Sequence, residues 1–577
     1  MDITKLEKYA VIFLVFIMVY SFNSAYALDP APQSGNILKE LEKARGEQNF
    51  LNKESPRKEV VIEKENATDK KQLARPDKKV FVSKFLVEGN TLLDESIVRS
   101  IISPYEGKEL SIEEINAVAD LLTAKYRESG YITTRAFVPT QEIKNKVVVI
   151  RVADGKVGAI TVVGNKSYST PFVEGHIAQI KKDPTFKEET LERSLLILND
   201  YPSLNVTASL KAGKEPGTTD VIAKVTDEFP ISARIFYDNF GTDTTSRNRA
   251  GLAIDVGNVI TSGDAINLFG IAGIDRMNLS DLAYGRAEYS LPIGANGTKA
   301  GVYYGNSVYR AGQELEPLDI KGGADQAGVY VTHPIVKTRD AALSLRLGLD
   351  YKKIHQDVSS ERFITDDIRT SNVGITCDWA DTFSGKNYFA LVYAQGLSSL
   401  LGGSKSDDAE LSRQHANVDF AKFTADLVRV QKLPGYSHLM LKLSGQYSDN
   451  RLYGAEQFSI GGFGSVRGFE ASAKSGDIGY AMTAELSLSP FFADQEIYKQ
   501  KVGDTIKFAF FGDYGKVKWN DPLIGQDEYS QLGSIGAGLR LYAGKLVSVR
   551  VDYAVPYLDG KFENSGAKTY LQATVSF

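Results

Sequence analysis

The sequence predicts a mainly β protein: a closed, 16-stranded antiparallel transmembrane β-barrel preceded by two small α+β units and an N-terminal helix. Three observations predict this class. From residue 231 to the C terminus, segments of about ten residues alternate polar and apolar side chains, as strands of membrane barrels do. Two segments that resemble each other in their order of strands and helices precede this region. The N terminus has the composition of an export signal.

The export signal is predicted to occupy residues 1–27. Lys5 and Lys8 precede an apolar run from Tyr9 to Tyr20, and Ala25-Tyr26-Ala27 then offers small residues to a signal peptidase. The alternative is a membrane anchor. Twelve residues of helix rise only about 18 Å, however, whereas a bilayer core needs roughly 20 residues to cross. We therefore expect cleavage and export.

The composition excludes some classes of partner and chemistry. The 67 basic and 72 acidic residues nearly balance, which argues against a nucleic-acid binder. A single cysteine, Cys377, cannot form an intramolecular disulfide. Glycine (51 residues), tyrosine (29) and phenylalanine (28) are numerous, which suits a barrel with a polar lumen and aromatic girdles.

Between the signal and the first unit we predict a short helix on a charged linker. Over residues 34–48, Ile37, Leu38 and Leu41 fall on one helical face, but this apolar stripe is too small to fold alone. Residues 49–79 are dominated by Lys, Glu, Asp and Asn, and we expect them to be a solvated linker.

The next region is predicted to be a duplicated domain, at residues 80–155 and 156–229. Each copy opens with an alternating strand that ends in Gly-Asn, at Phe85–Asn90 and, 75 residues later, at Ile160–Asn165. The order in both copies is strand, helix, helix, strand, strand.

In the first copy, Ser111 and Glu114 form a capping box, and Gly130 ends the helix that follows. Strands are then expected at Tyr131–Val138 and Lys146–Val152. In the second copy the predicted elements are helices at Pro171–Lys181 and Glu188–Asp200, and strands at Asn205–Lys211 and Asp220–Val225.

The barrel is predicted over residues 230–577. In its first strand, Ile231 and Ile235 alternate with Arg234 and Asp238. Lipid offers no hydrogen-bond partners, so strands that cross it must close into a ring. A water-soluble β-sandwich or propeller is the alternative, since soluble sheets alternate too. We expect sixteen strands, which start near residues 231, 249, 264, 280, 299, 326, 341, 367, 386, 415, 437, 479, 505, 530, 547 and 568.

The long connection between the eleventh and twelfth predicted strands carries the most specific motif, Val466-Arg467-Gly468-Phe469, after Gly461-Gly462. This motif resembles the hallmark of the barrel superfamily that carries periplasmic POTRA domains. The resemblance implies that residues 450–478 fold into the lumen. It also implies that the arginine contacts an aspartate in a Phe-x-Asp-x-Gly pattern on the thirteenth strand. The matching residues here are Phe511, Asp513 and Gly515.

Physical chemistry supports such a lock, because an arginine can fork onto a carboxylate and fix the position of a glycine-rich loop. The alternative is an exposed hairpin tip in which Arg467 is solvated. Because a barrel lumen holds water, we expect the Arg467–Asp513 pair to be wetted and to contribute about 0 to 1 kcal/mol.

Gly130–Pro139 resembles the first POTRA domain of the outer-membrane transporters of two-partner secretion (TpsB type, ShlB/FhaC/HecB-like). The order of signal, helix, linker, two POTRA units and sixteen strands resembles the same family along the mature chain. Phe469 is a departure, since many relatives have Tyr at this place. The helix at residues 34–48 is then expected to be a plug of the pore.

A POTRA unit can bind an unfolded client by pairing an exposed strand edge with an extended segment. The candidate client-binding residues are Tyr131, Thr133, Arg135 and Phe137. Two alternatives remain open: the neighbouring unit covers this edge, or Arg135 is an ordinary solvated residue.

The function that the resemblance implies is protein translocation: recognition of an unfolded haemolysin- or adhesin-like exoprotein in the periplasm and its secretion through the barrel without nucleotide hydrolysis. An insertase that assembles other outer-membrane proteins, and a passive porin or receptor, are the alternatives. The expected partners are the large exoprotein, outer-membrane lipid and the barrel assembly machinery, with the protein itself a monomer in the bacterial outer membrane.

We expect no enzymatic activity, cofactor or metal. The five histidines, His176, His333, His355, His415 and His438, show no H-E-x-x-H spacing, and neither a G-x-S-x-G elbow nor a Walker loop occurs.

Overall fold

The computed structural model describes residues 34–53, 61–64, 79–183, 186–215, 217–276, 278–279, 281–397, 403–497, 500–522, 527–559 and 566–577. The predicted signal peptide, residues 1–27, lies outside the described residues, as does most of the predicted linker. None of the helices in the described ranges is both long and apolar enough to cross a bilayer.

The N-terminal helix, α1 (Ser34–Lys53), is five residues longer than the predicted 34–48. The segment predicted as a solvated linker contains a short strand, β1 (Ile62–Lys64). This strand pairs in parallel with a strand of the second periplasmic unit, with Ile62 opposite Ala208. Ile62 also packs against the apolar core of that unit, so this part of the linker is held.

The first of the two predicted POTRA units is a three-stranded sheet covered by two helices. The capping box is confirmed, since Ser111 and Glu114 exchange side-chain and backbone hydrogen bonds at the start of the long helix. The elements are β2 (Val80–Val82), β3 (Lys84–Glu88), α2 (Glu95–Ile102), β4 (Lys108–Leu110), α3 (Ile112–Glu128), β5 (Arg135–Phe137) and β6 (Val147–Ala153). The sheet order is β3-β6-β5, which places β5 at an edge.

The predicted strand Tyr131–Val138 is wrong over its first half. Only Arg135–Phe137 is extended and paired. Residues 131–134 form a turn, in which Thr134 N–H donates to the carbonyl of Tyr131. The turn belongs to the junction with the second unit, because Ile132 is buried in that unit's core and the Gly130 carbonyl accepts from Glu188 N–H.

The second POTRA unit repeats the order of elements. It consists of β7 (Lys156–Val163), α4 (Thr170–Ile177), α5 (Glu188–Asn199), β8 (Leu204–Ala212) and β9 (Thr218–Asp227). Its sheet has the order β1-β8-β9-β7, so the linker strand occupies the β8 edge.

The C-terminal region is a closed barrel of sixteen antiparallel strands, as predicted. Its strands are β10 (Ile231–Asp238), β11 (Arg249–Gly257), β12 (Ala265–Gly273), β13 (Leu282–Ile293), β14 (Thr298–Arg310), β15 (Lys321–Lys337), β16 (Ala341–Val358), β17 (Glu361–Ala380), β18 (Gly385–Gly396), β19 (Ala421–Lys432), β20 (His438–Tyr447), β23 (Ile478–Leu488), β26 (Ile506–Lys518), β27 (Tyr529–Ala543), β28 (Val547–Asp559) and β29 (Lys568–Ser576). The remaining short strands lie in connections: β21 (Phe458–Ile460) and β22 (Lys474–Gly476) between β20 and β23, and β24 (Glu496–Ile497) and β25 (Gln500–Lys501) between β23 and β26.

The first and last strands close the ring, with Arg234 opposite Ser576 and Asp238 opposite Gln572. Alternation along β10 separates the two faces as predicted. Ile231 and Ile235 are exposed on the outer wall, whereas Arg234 and Asp238 are buried on the lumenal side. Closure leaves no unpaired strand edge for lipid to meet.

Three strands start five or six residues away from the predicted positions: the sixth at Lys321 (predicted near 326), the eighth at Glu361 (near 367) and the tenth at Ala421 (near 415). The apolar side chains just before the tenth strand are buried for another reason. Leu411, Ala416 and Phe420 are buried in a cluster inside the barrel, so their burial does not reflect a membrane-crossing strand.

The second POTRA unit is fastened to the inner end of the barrel. Arg193 donates to the backbone carbonyl of Pro334 at 2.6 Å, and Arg339 pairs with Glu192 at 2.6 Å. Ser262, in a barrel turn, donates to Ser169 at 3.0 Å. The unit is therefore held over the periplasmic mouth.

Candidate functional site

The connection between β20 and β23 folds back into the lumen. Its two arms pair as a short ribbon, β21 (Phe458–Ile460) with β22 (Lys474–Gly476). Gly461, Gly462 and Gly468 have φ values of 106°, 83° and 92°, a region that only glycine enters without strain. The glycine-rich sequence therefore lets the tip of the loop turn sharply against the barrel wall.

Arg467 lies at that tip and meets Asp513 on β26, the thirteenth strand of the barrel. Its Nε donates to Asp513 Oδ2 at 2.7 Å and its Nη2 donates to Oδ1 at 2.9 Å. The backbone N–H of Arg467 adds a third bond to the same carboxylate at 3.2 Å. The guanidinium also stacks on the ring of Phe511, 3.3 Å from its centroid. This is the forked geometry that fixes an arginine in one orientation.

Four further charged side chains of the lumenal wall complete the site. Arg467 Nη1 donates to Glu485 at 2.9 Å and to Asp552 at 3.0 Å. Arg540 bridges the same two carboxylates, at 2.8 Å and 2.5 Å. Arg550 contacts both as well, at 3.2 Å and 3.0 Å. Three arginines thus face three carboxylates, and the charges balance.

The neighbours of Arg467 fix the loop tip by packing. Val466 and Phe469 are buried in an apolar cluster with Ile460. A Cβ on Gly515 would lie 3.0 Å from both Ile460 and Val466, so the last residue of the Phe-x-Asp-x-Gly pattern has to be small. Phe469 fills an apolar position with its ring.

Phe469 has no hydroxyl, but Tyr570 on the last strand places one beside it. The N–H of Gly468 donates to the Tyr570 hydroxyl at 2.9 Å, and that hydroxyl donates to the Phe469 carbonyl at 3.0 Å. The loop tip is therefore bonded to the strand that closes the barrel.

The expectation of a wetted ion pair is wrong. Arg467 is 2% exposed and Asp513 is 1% exposed. The loop carries its own apolar cover into the lumen, and water is excluded from the pair. Breaking it by removing one partner is expected to be costly, because the other charge would remain buried.

A second buried carboxylate, Glu456, anchors the start of the loop. It accepts from Lys352 on β16 at 3.1 Å and pairs with Lys422 on β19 at 2.6 Å. Lys39 of α1 donates to the carbonyls of Gly454 and Gln457 beside it, at 2.9 Å and 3.1 Å. The loop and the N-terminal helix are therefore tied to each other.

Helix α1 lies inside the barrel. Leu38 and Leu41 are almost fully buried against lumenal side chains of the wall. Ser34 Oγ donates to the His355 carbonyl at 2.6 Å. Glu40 accepts from Arg249 at 2.5 Å, and Arg249 is itself held by Asp238. The helix thus occupies the lumen, and we call it the plug helix.

The structure separates the four candidate client-binding residues. Arg135 and Phe137 lie on the edge strand β5 and are exposed, Phe137 by 38%. Tyr131 lies in the junction between the units, where Lys187 sits over its ring at 5.7 Å. Thr133 is half-buried in the same turn. Only the first two are placed to meet an extended client.

Strand β1 shows how an extended segment binds the second unit. The Val61 carbonyl accepts from Ala208 N–H at 3.0 Å, Ile62 packs on the core, and Glu63 pairs with Lys224. Backbone bonds, one apolar pocket and one charge pair are the elements of strand addition.

Sequence reasoning missed Glu485, Arg540, Arg550, Asp552 and Glu456. Their only signal is their place on the lumenal face of the strands or in the loop. Within the described residues, no group of three His, Cys, Asp or Glu side chains could hold a metal ion.

Comparison with known families gives two matches. The family model described as haemolysin secretion/activation protein ShlB/FhaC/HecB matches residues 217–541. A model of the POTRA domain, ShlB-type, matches residues 80–155.

Curated relatives align along most of the chain. The heme/hemopexin transporter protein HuxB of Haemophilus influenzae is 27% identical over 559 residues, which is 94% of each chain. The outer membrane transporter CdiB of Dickeya dadantii is 26% identical and covers 69% of this chain and 70% of its own. The hemolysin transporter protein ShlB of Serratia marcescens is 25% identical, with 70% and 71% covered.

Solved structures share the fold. CdiB from Escherichia coli superposes with a TM-score of 0.70 at 20% identity and covers 96% of this chain and 100% of its own. BamA from Haemophilus ducreyi, lacking POTRA domains 1–3, gives a TM-score of 0.51 at 13% identity, with 86% and 100% covered.

Proposed function

Since the chain belongs to the family of haemolysin secretion/activation proteins ShlB/FhaC/HecB, we propose that it carries one large exoprotein, in extended form, from its POTRA domains through its barrel. The barrel lies in the bacterial outer membrane and the POTRA domains in the periplasm. The relatives named outer membrane transporter and hemolysin transporter protein align over 70% and 71% of their own length.

The observation that carries the proposal is the helix that occupies the lumen. Besides the apolar contacts of Leu38 and Leu41, the plug helix is held there by side-chain hydrogen bonds and ion pairs at Ser34, Lys39 and Glu40. Such contacts can be exchanged for water when the helix leaves. A passive porin needs no plug of its own chain, whereas a pore wide enough for a polypeptide has to be closed at rest.

Client capture is proposed at two strand edges. The β5 edge of the first unit presents Arg135 and Phe137. The β8 edge of the second unit is occupied by the linker strand β1, so a client segment binds there by replacing β1. Because backbone bonds supply most of the binding there, both edges accept unfolded chains and choose among them by a few side chains.

We propose that transport requires no catalysis or cofactor, and that folding of the cargo outside the cell rectifies its passage. The closed ring leaves no barrel strand that needs a second copy of the chain to pair with it, which supports a monomer as the working unit. The barrel assembly machinery is the proposed route by which the protein reaches the membrane.

Co-expression tests the proposal. The neighbouring genes are searched for a large exported protein, the two proteins are co-expressed, and the amount of that candidate cargo in the medium is measured. Secretion is expected only when both are present. Secretion that is independent of this protein would refute the proposal. A general loss of outer-membrane proteins on its depletion would favour an insertase.

A further inference from the structure

Residues 403–420, the described part of the connection between β18 and β19, form a second loop at the outer end of the barrel; we name it the outer loop. It folds inward. Leu411, Ala416 and Phe420 are buried in the same apolar cluster as the apolar face of the plug helix. The outer loop therefore takes part in closing the lumen.

An ion pair joins the outer loop to the lumenal loop. Arg413 Nη1 donates to both carboxylate oxygens of Asp477, at 2.6 Å and 2.7 Å. Its Nη2 donates to the backbone carbonyl of Asn520, and its guanidinium lies 4.6 Å from the ring of Trp519. Both side chains are buried, and that of Asp477 completely.

Asp477 connects the two ends of the lumenal loop by hydrogen bonds. Its carboxylate accepts from the N–H of Leu452, near the start of the loop, at 3.0 Å. It also accepts from the N–H of Asn520, beyond the end of β26, at 2.7 Å. Asp477 itself directly precedes β23. Arg413 is thus the outer loop's contribution to a junction that fixes the base of the lumenal loop.

Two further contacts hold the same pair of loops together. The N–H of Gly454 donates to Ser412 Oγ at 3.0 Å, and the N–H of Asn417 donates to the carbonyl of Arg451 at 2.7 Å. The strands that flank these loops have complete ladders of their own. The pair therefore fastens loop to loop, and the barrel does not depend on it.

The lumenal loop is consequently held at both ends. Its tip is bonded through Arg467 to the wall, and its base through Asp477 to the outer loop. The outer loop lies at the outer end of the lumen, because Thr365 N–H at the start of β17 donates to the Glu410 carbonyl at 2.7 Å and the loop's apolar residues pack in the same cluster as the plug helix.

We propose that the outer loop is a second closing element of the pore, and that the Arg413–Asp477 pair is the latch that positions it. The latch has to open before an extended polypeptide can leave. This rests on the proposed function, since a passing polypeptide is what requires the opening.

Hydrogen exchange on the full-length protein in detergent or nanodiscs tests the latch. Arg413→Ala is expected to raise the exchange of amides in residues 403–420 by about tenfold or more, because the buried Asp477 is left unpaired. Amides of β18 and β19 should keep their protection. Arg429→Ala is the matched control: Arg429 on β19 pairs with Asp381 at 2.6 Å, at the periplasmic end. Unchanged exchange in Arg413→Ala would overturn the latch.

A reversible disulfide between the outer loop and the lumenal loop tests whether the latch has to open during secretion. In a Cys377→Ser background, Asn417→Cys with Arg451→Cys allows a disulfide between the two loops and keeps Arg413. Oxidised protein is expected to stop secreting the co-expressed exoprotein, and reductant should restore secretion. The two single-cysteine variants should secrete normally. Normal secretion by the stapled form would overturn the proposal, whereas a wild-type protein that secretes nothing would overturn the proposed function itself.

Discussion

Replacing Arg467 with alanine removes the one cation that forks onto Asp513. The network then holds two arginines against three carboxylates, and the Asp513 side chain stays fully buried. Removing one partner of a buried pair typically costs about 3 to 5 kcal/mol, which is a shift of about 10² to 10⁴ in the equilibrium between docked and undocked loop. We expect the loop tip to leave the wall often enough to be detected.

Labelling of a single cysteine measures this equilibrium. In a Cys377→Ser background, Ser465→Cys places a thiol at the buried tip, beside the lock. A thiol reagent reacts with it only when the loop undocks. Arg467→Ala is therefore expected to raise the labelling rate in proportion to the undocked fraction. The barrel should still migrate as a folded species on gels, because its strand ladders do not involve Arg467.

Arg550→Ala is the matched control. Arg550 touches the same Glu485 and Asp552, but its side chain is 29% exposed, and a partly solvated pair contributes about 0 to 1 kcal/mol. The double variant Arg467→Ala/Asp513→Ala should label more slowly than Arg467→Ala, since no carboxylate is stranded. If Arg467→Ala labelled no faster than Arg550→Ala, the buried pair would not be what holds the loop.

Three more predictions address the plug, the linker and the second POTRA unit. Leu41→Ala should weaken docking of the plug helix by about 2 to 5 kcal/mol, because Leu41 is buried, and should raise ion conductance through the pore in planar bilayers. Unchanged conductance in Leu41→Ala would mean that this contact does not hold the helix in the lumen. Glu63→Lys should make the linker more sensitive to limited proteolysis, and adding Lys224→Glu should reverse this if the pair holds β1 in place. Burial lowers the pKa of His176 from its ordinary value of 6.5, so the folded unit keeps this ring neutral. The unfolded chain then binds more protons below pH 6.5; the stability is complete above that pH and is lost as the pH falls. The melting temperature of the wild type should drop on acidification more than that of His176→Phe.

The barrel was predictable from the sequence because alternation has a direct physical cause. Each strand meets lipid on one face and the lumen on the other, so one residue in two is apolar along β10 and β29. The error at the tenth strand has the same cause. The outer loop packs Leu411, Ala416 and Phe420 into the lumen, and a sequence pattern does not distinguish burial in protein from exposure to lipid.

The linker shows a different limit of prediction from sequence. Its charged composition predicts a solvated segment, and no pattern in its sequence indicates that residues 62–64 form a strand. Glu63 of β1, however, meets Lys224, a residue 161 positions further along the chain. A strand of three residues is specified by the edge that receives it, not by its own sequence, so local patterns cannot predict it.

One part of the site was also predictable from the sequence, and another part was not. The motif pair placed Arg467 and Asp513 on the loop and the strand where the structure has them. Glu485, Arg540, Arg550 and Asp552 are inward-facing charges among many others. Which of these charges meet depends on how far the strands are staggered around the ring. The Arg467–Asp513 pair is buried because the apolar residues of the loop tip cover it. The prediction assumed a water-filled lumen and therefore did not expect this burial.

Buried ion pairs suit a closure that has to open again. Strand ladders close the barrel, so the pairs at Arg467 and Arg413 are not needed to form the ring and act on the position of the loops. A pair inside protein is costly to break when one partner stays buried. If water enters with the moving loop, both partners are solvated together, and much of that cost is returned. Loss of a single side chain is therefore costly for the lock, whereas movement of the whole loop, which solvates both partners, costs less. An apolar seal of the same strength would instead expose more apolar surface as it opened.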